Sequence, residues 1–372
     1  MEAKVDPIIK PLCHFNLIQS LRHDSAYAAP SDAQTRWQRV LESKAGREAY
    51  ASWVLGNRHI HAVTCVGMAR REFGLARRPF DMVLVDEAGK AFLAEILLPA
   101  SVAKKLILVG DHFQLPPTVT DDAFDEGIAY RLPMEEVEEI LKRNMFEDFF
   151  EELPSANKGM LTHQHRMHKD IGDLVSEMFY GGRLTSAKTG SDWPFMRRRL
   201  QFIDFTKDIN YRHRHGNDGN SLANAYEREV LFALLDRLAS QDAHALKVLV
   251  ICPYKLQRQL VGVEISKRSY PFSLTTTTVD AVQGGQATLV ILLMTRSSGR
   301  VEFLLDRNRL NVALSRAEEA VVILGHLACL SPEGQGPMAQ LIQIGERQDT
   351  LQVLNSRARK EAIAILPSQI FP

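Results

Sequence analysis

The chain has 372 residues, 45% of them hydrophobic and 24% charged, and its 45 basic and 45 acidic side chains cancel. That balance fits an ordinary globular protein of about two domains and excludes a global polyanion-attracting field, leaving only a local basic groove open. Cys13, Cys65, Cys252 and Cys329 are scattered without a C-x-x-C pair, which argues against a disulfide framework or a zinc site and for reduced thiols in the cytoplasm or nucleus.

The first residues have no apolar core of the kind a secretory signal needs, and no apolar run approaches the roughly 18 residues of a membrane span. Residues 1–57 read as a helical N-terminal segment, with the helix itself at 33–53. Between Gln34 and Phe80 nine basic residues face three acidic ones, which suits a phosphate backbone and a solvated helix face about equally. From residue 60 short apolar runs at 60–66, 82–85 and 106–109 alternate with polar stretches, the pattern of a parallel sheet covered by helices. Residues 121–152 carry twelve acidic and three basic side chains and read as a solvated helical excursion.

A second α/β series starts near residue 156. The spacing predicts an amphipathic helix over 165–180, stopped by Gly181 and Gly182. Strands are expected at 200–205, 248–251, 275–279, 289–294 and 320–324, with a long helix over 223–238 and a helical, peripheral tail at 346–372.

The run Met82-Val83-Leu84-Val85 ends in Asp86-Glu87 and reads as a buried parallel strand with acids at its C-terminal tip, where open α/β sheets bind ligands. Such a pair suits nucleotide hydrolysis, Asp86 holding Mg²⁺ directly or through water and Glu87 activating the attacking water. Taken alone, a strand that happens to end in acids explains it better. Four further stretches change the balance. They are Gly110-Asp111-His112-Phe113-Gln114-Leu115-Pro116-Pro117, Gln164-His165-Arg166-Met167-His168, Thr278-Val279-Asp280-Ala281-Val282-Gln283-Gly284-Gly285-Gln286 and Asn311-Val312-Ala313-Leu314-Ser315-Arg316-Ala317.

In this order the five stretches resemble the motifs of superfamily 1 helicases, most closely the group that includes the nonsense-mediated-decay helicase, over roughly residues 60–345. The resemblance implies a P-loop NTPase type of α/β architecture with two RecA-like parallel-sheet domains. A partial first domain would run over 58–155 and a second over 156–345. It implies ATP and Mg²⁺ held between them, with Asp86 and Glu87 in the Walker B role and Gln114 as the γ-phosphate sensor, an amide that can both donate and accept. Arg166 and Arg316 would reach the transferred phosphate through their permanent charge and fork of donors. Asp111, Gln164, Gly284 and Gln286 would line the nucleotide. Gln286 stands where the family has Glu, so its grip on the ribose lacks charge assistance. The implied partner is single-stranded RNA or DNA, moved along both domains by alternating grip.

Weaker echoes of the family are Ser221, Asn224 and Glu227 in a S-x-x-N-x-x-E pattern, and Pro253-Tyr254 with Gln257. Leu222 stands where the family often has a base-stacking Tyr. No G-x-x-x-x-G-K-[ST] occurs in the 372 residues, although that loop supplies the N–H cradle and the phosphate lysine. The expectation is a C-terminal helicase portion whose P-loop comes from another chain or an upstream segment. A degenerate homologue that keeps the fold as a binding module is the alternative.

Overall fold

The computed structural model describes residues 39–70, 74–117, 144–190, 193–216, 219, 221–282 and 285–371. The chain divides into two compact units, residues 1–110 and 111–372.

In the first unit a helix spans Lys44–Gly56, started by Ser43, whose hydroxyl accepts from the Gly46 N–H at 2.9 Å. Residues 60–66 do not form the expected strand. Thr64 accepts from the Gly67 N–H at 2.9 Å and caps a short helix, Cys65–Met68, while Ile60 is 88% exposed. Strands β1 (Val83–Val85) and β2 (Leu106–Leu108) pair in parallel around the helix Leu93–Val102. That helix buries Ile96 and Pro99. The expectation that β1 is wholly buried is corrected here. Alternate side chains point to opposite faces, and only Val85 is buried while Leu84 is 58% exposed.

The second unit contains β3 (His163–His168), β4 (Thr185–Lys188), β5 (Leu200–Asp204), β6 (Arg214–His215), β7 (Leu222–Ala223), β8 (Lys247–Ile251), β9 (Ser273–Thr277), β10 (Ala287–Leu293), β11 (Ala317–Gly325) and β12 (Leu351–Asn355). Six of them form one sheet in the order β12-β5-β11-β10-β8-β9, every pairing parallel. The central strands are near-continuous Val, Ile and Leu, as burial on both faces requires. Val290, Leu292, Val321 and Ile323 meet the helices Lys169–Tyr180, Arg307–Leu314 and Pro337–Arg347. Leu289, Ile291, Leu293, Val322 and Leu324 meet Ala225–Ala239 and Lys255–Ile265 on the other face.

Two expectations change. Residues 165–168 are extended, as part of β3, rather than helical, and the helix begins only at Lys169. The tail is not peripheral: β12 adds the edge strand beside β5, and Leu366, Ile370 and Phe371 are buried in the core. Most of the acidic stretch 121–152 lies outside the described residues, apart from the helix Met145–Glu152.

Candidate functional site

Parallel strands place their starts along one edge. At that edge the Ala287 N–H of β10 donates to the carbonyl of Arg316, the residue before β11, at 3.0 Å. The helix Arg307–Leu314 ends there, and Arg316 turns back onto it, Nε donating to the Val312 carbonyl at 3.2 Å. Arg316 is 3% exposed. Its Nη2 donates to Gln114 Oε1 at 3.1 Å and its Nη1 to the Gly285 carbonyl at 3.5 Å.

Gln114 is aimed by its own loop. Its Nε2 donates to Asp111 Oδ2 at 2.8 Å, and the Phe113 N–H donates to Asp111 Oδ1 at 3.0 Å. The Tyr180 hydroxyl donates to Asp111 Oδ2 at 2.5 Å. Burial, with the Asp111 charge behind it, raises the Tyr180 phenol far above its ordinary value, so the hydroxyl keeps its proton. Two amides of the helix Arg307–Leu314 hold the loop backbone. Asn308 Nδ2 reaches the Gln114 carbonyl at 2.8 Å, and Asn311 Nδ2 reaches the Phe113 carbonyl and the Tyr180 hydroxyl, each at 2.8 Å. These contacts tie residues 111–117 to the second unit, whereas the sequence grouped that motif with the first domain.

Arg166 joins this edge from β3, Nη1 donating to the Ser315 carbonyl at 3.0 Å, one residue from Arg316. Gln164 serves the backbone instead. The β3–β4 register slips between Gln164 and His168, and a bulge leaves backbone groups without ladder partners. Gln164 Oε1 accepts from the N–H groups of Arg166 and Met167 at 3.0 and 2.8 Å, and Nε2 donates to the Met167 carbonyl and Ser186 Oγ at 2.9 and 2.8 Å. A Cβ on Gly172 would lie 2.1 Å from Ser186 Oγ, so only glycine lets the helix approach this lock.

Gln286 is exposed beside β10, and Gly284 lies outside the described residues. In the first unit Asp86 and Glu87 are both exposed. Asp86 Oδ1 accepts from the Glu87 N–H at 3.0 Å, and Lys90 lies 3.4 Å from Glu87. Glu87 has φ 55°, a left-handed conformation that costs a non-glycine residue about 1–3 kcal/mol. The buried Ala88, whose N–H donates to the Val109 carbonyl at 2.8 Å, holds the turn in place.

Among the described residues no group of three or more His, Cys, Asp or Glu could hold a metal alone. Adjacent exposed carboxylates suit Mg²⁺ all the same, because it keeps several waters and is bound through one or two carboxylates plus substrate phosphates. Cys252 is buried, its thiol pushed up to about 12 by desolvation, and is therefore inert.

The two weaker echoes meet in a second polar cluster. Gln257 Oε1 accepts from the Asn224 N–H at 3.0 Å, and its Nε2 donates to Glu227 Oε2 at 3.0 Å. Glu227, fully buried, also accepts from the Tyr211 hydroxyl and the Thr295 N–H, each at 2.8 Å. Burial outweighs these bonds and pushes its carboxyl up to about 7. Tyr180, Asn308 and Asn311 were not singled out from sequence. Asn311 opens the last helicase-like stretch, but nothing in the spacing shows what Tyr180 would touch.

An all-parallel sheet covered on both faces, with an arginine and a glutamine paired at its edge, is an α/β unit of the type that the motif order implies. The AAA domain family matches residues 141–328, and a second AAA domain family matches residues 20–122. The human protein named probable helicase senataxin is 32% identical over 304 residues, 77% of this chain and 11% of that protein. The DNA-binding protein SMUBP-2 of Mesocricetus auratus is 32% identical over 263 residues, 67% of this chain and 25% of that protein. The regulator of nonsense transcripts 1 of Dictyostelium discoideum is 27% identical over 299 residues, 75% of this chain and 21% of that protein. The chain belongs to the superfamily 1 helicase family. It spans between a tenth and a quarter of the length of these curated relatives. Among the described residues no helix is long and apolar enough to cross a membrane.

Proposed function

We propose that this helicase domain works as part of an ATP-dependent translocase on single-stranded RNA or DNA. The observation that carries the reading is the pairing of Arg316 with Gln114, with Arg166 bonded one residue away. A buried arginine held by a neutral amide is placed to exchange that amide for phosphate oxygens, where an ionised donor meets ionised acceptors and its fork can bind two of them at once.

In this reading Asp86 holds Mg²⁺ directly or through water, and Glu87 takes the proton from the attacking water. Bound Mg²⁺ supplies charge neutralisation at the phosphates. Gln114 orients to the γ-phosphate, and Arg166 and Arg316 stabilise the charge that develops there, a contribution of about 10³–10⁵ in rate for comparable arginine fingers. Asp111 aims Gln114, while Gly284 and Gln286 border the nucleotide. Gln164 acts on Arg166 through the β3 backbone. Because the 372 residues contain no P-loop lysine, turnover by this chain alone is very weak, and a separate chain or upstream segment supplies the missing cradle. The buried Leu222 favours a second reading, a degenerate homologue that binds strands without effective turnover.

The test is ATP hydrolysis by the chain with and without single-stranded oligonucleotide. Weak, strand-stimulated hydrolysis abolished by Glu87→Gln supports the translocase. Strand binding with hydrolysis indifferent to Glu87→Gln supports the binding module. Turnover at an intact-helicase rate contradicts the P-loop argument.

A further inference from the structure

Leu222 is 1% exposed, so the position where a stacking aromatic would be expected presents no face to a base. The opposite edge of the six-stranded sheet, where the strands end, carries a different aromatic. Phe303 follows the loop after β10 and is 44% exposed, although Val301, Leu304 and Leu305 around it are buried. The turn that presents it is closed by Val301, whose carbonyl accepts from the Leu304 and Leu305 N–H groups at 2.8 and 3.0 Å.

One side of the ring is already occupied. The Arg309 guanidinium stands 4.2 Å from the Phe303 centroid and is held there by Asp280 at 3.2 Å. Tyr254, after β8, lies beside it with ring centroids 6.3 Å apart, and its hydroxyl accepts from Arg296 Nε at 2.6 Å. A single exposed aromatic is ordinary on a protein surface. An exposed ring with a fixed guanidinium on one side and an Arg-bonded tyrosine beside it has the composition of a base-stacking platform. Phosphate-binding charge is close at hand. Ser297, next to Arg296, bonds His213 at 2.9 Å, which brings the exposed Arg212 and Arg214 to the same edge.

We propose that Phe303 and Tyr254 form a base-stacking site for single-stranded nucleic acid, with Arg296, Arg212 and Arg214 meeting its phosphates. The proposal rests on the nucleic-acid-binding part of the proposed function and assigns it a place. Phosphate contacts there are sequence-independent and weaken with salt.

The test is fluorescence polarisation of labelled oligo(U) and oligo(dT) 12-mers on the whole chain. Phe303→Ala weakens binding about tenfold, within the range for loss of one stacked base. Phe303→Trp retains wild-type affinity, and adding oligonucleotide quenches the new tryptophan beyond any change in the wild type. If wild-type protein binds and Phe303→Ala binds equally, or the new tryptophan is not quenched, the platform is overturned while nucleic-acid binding stands. If wild-type protein binds neither oligonucleotide, the underlying binding reading fails and the platform with it. The quenching readout does not depend on the alanine variant folding.

Discussion

Arg316 donates to Gln114 at 3.1 Å across 202 residues of sequence. The bond joins the arginine of the last helicase-like stretch to the glutamine of the second. Behind Gln114 stand Asp111 and the Tyr180 hydroxyl, so the buried arginine ends a chain of polar groups that runs back to Tyr180.

Tyr180→Phe removes one hydroxyl from this chain. Asp111 loses its 2.5 Å donor and Asn311 loses an acceptor, while the ring stays packed edge-on against Phe113. The expected cost is about 1–3 kcal/mol, the range for leaving buried polar partners short of a bond. Chemical denaturation of wild type and variant measures it. Equal midpoints would show that the hydroxyl holds nothing.

Glu227 gives stability a pH dependence. Its carboxyl titrates near 4.5 when unfolded and near 7 when folded. Between those values the folded protein holds a proton that the unfolded chain has lost. Stability from this group is therefore full below about 4.5 and is lost as pH rises through about 7, by up to about 3 kcal/mol. Melting curves from pH 4.5 to 7.5 should show the fall, and Glu227→Gln should flatten it. A variant with the wild-type slope would assign the dependence to another group.

Removal of residues 351–372 should leave the second unit unable to fold. It strips β12 from β5 and deletes Leu366, Ile370 and Phe371, each at most 1% exposed. Three such side chains contribute about 5–9 kcal/mol of burial, comparable to a whole domain's net stability. Soluble expression and a cooperative melt for the shortened chain would contradict this.

The parallel sheet was legible because its central strands are short Val, Ile and Leu runs, and five of the six strands were expected within a few residues. The missing one, β12, reads Leu-Gln-Val-Leu-Asn. It is an edge strand of five residues in which adjacent Val353 and Leu354 break the alternation, and so short a run is not separated from a helix by its spacing. The helix forecast over 165–180 failed at its start for a local reason. Gln164 satisfies the backbone of a bulge with its side chain, and amphipathic spacing carries no trace of that. Arg316, Gln114 and Arg166 were singled out from motif order, and the structure brings them to one edge. Tyr180 and Asn308 were missed because their partners lie far away in sequence, at Asp111 and at the Gln114 carbonyl.

The central claim is that Arg316 and Gln114 recognise the terminal phosphate of a nucleotide. Binding of fluorescent AMPPNP and ADP analogues to wild type, Arg316→Ala and Gln114→Ala, each compared as a ratio of affinities, tests it most directly. The account predicts that wild type prefers the triphosphate analogue and that both variants bring the ratio close to one. An unchanged preference in Arg316→Ala, or no preference in the wild type, would contradict it.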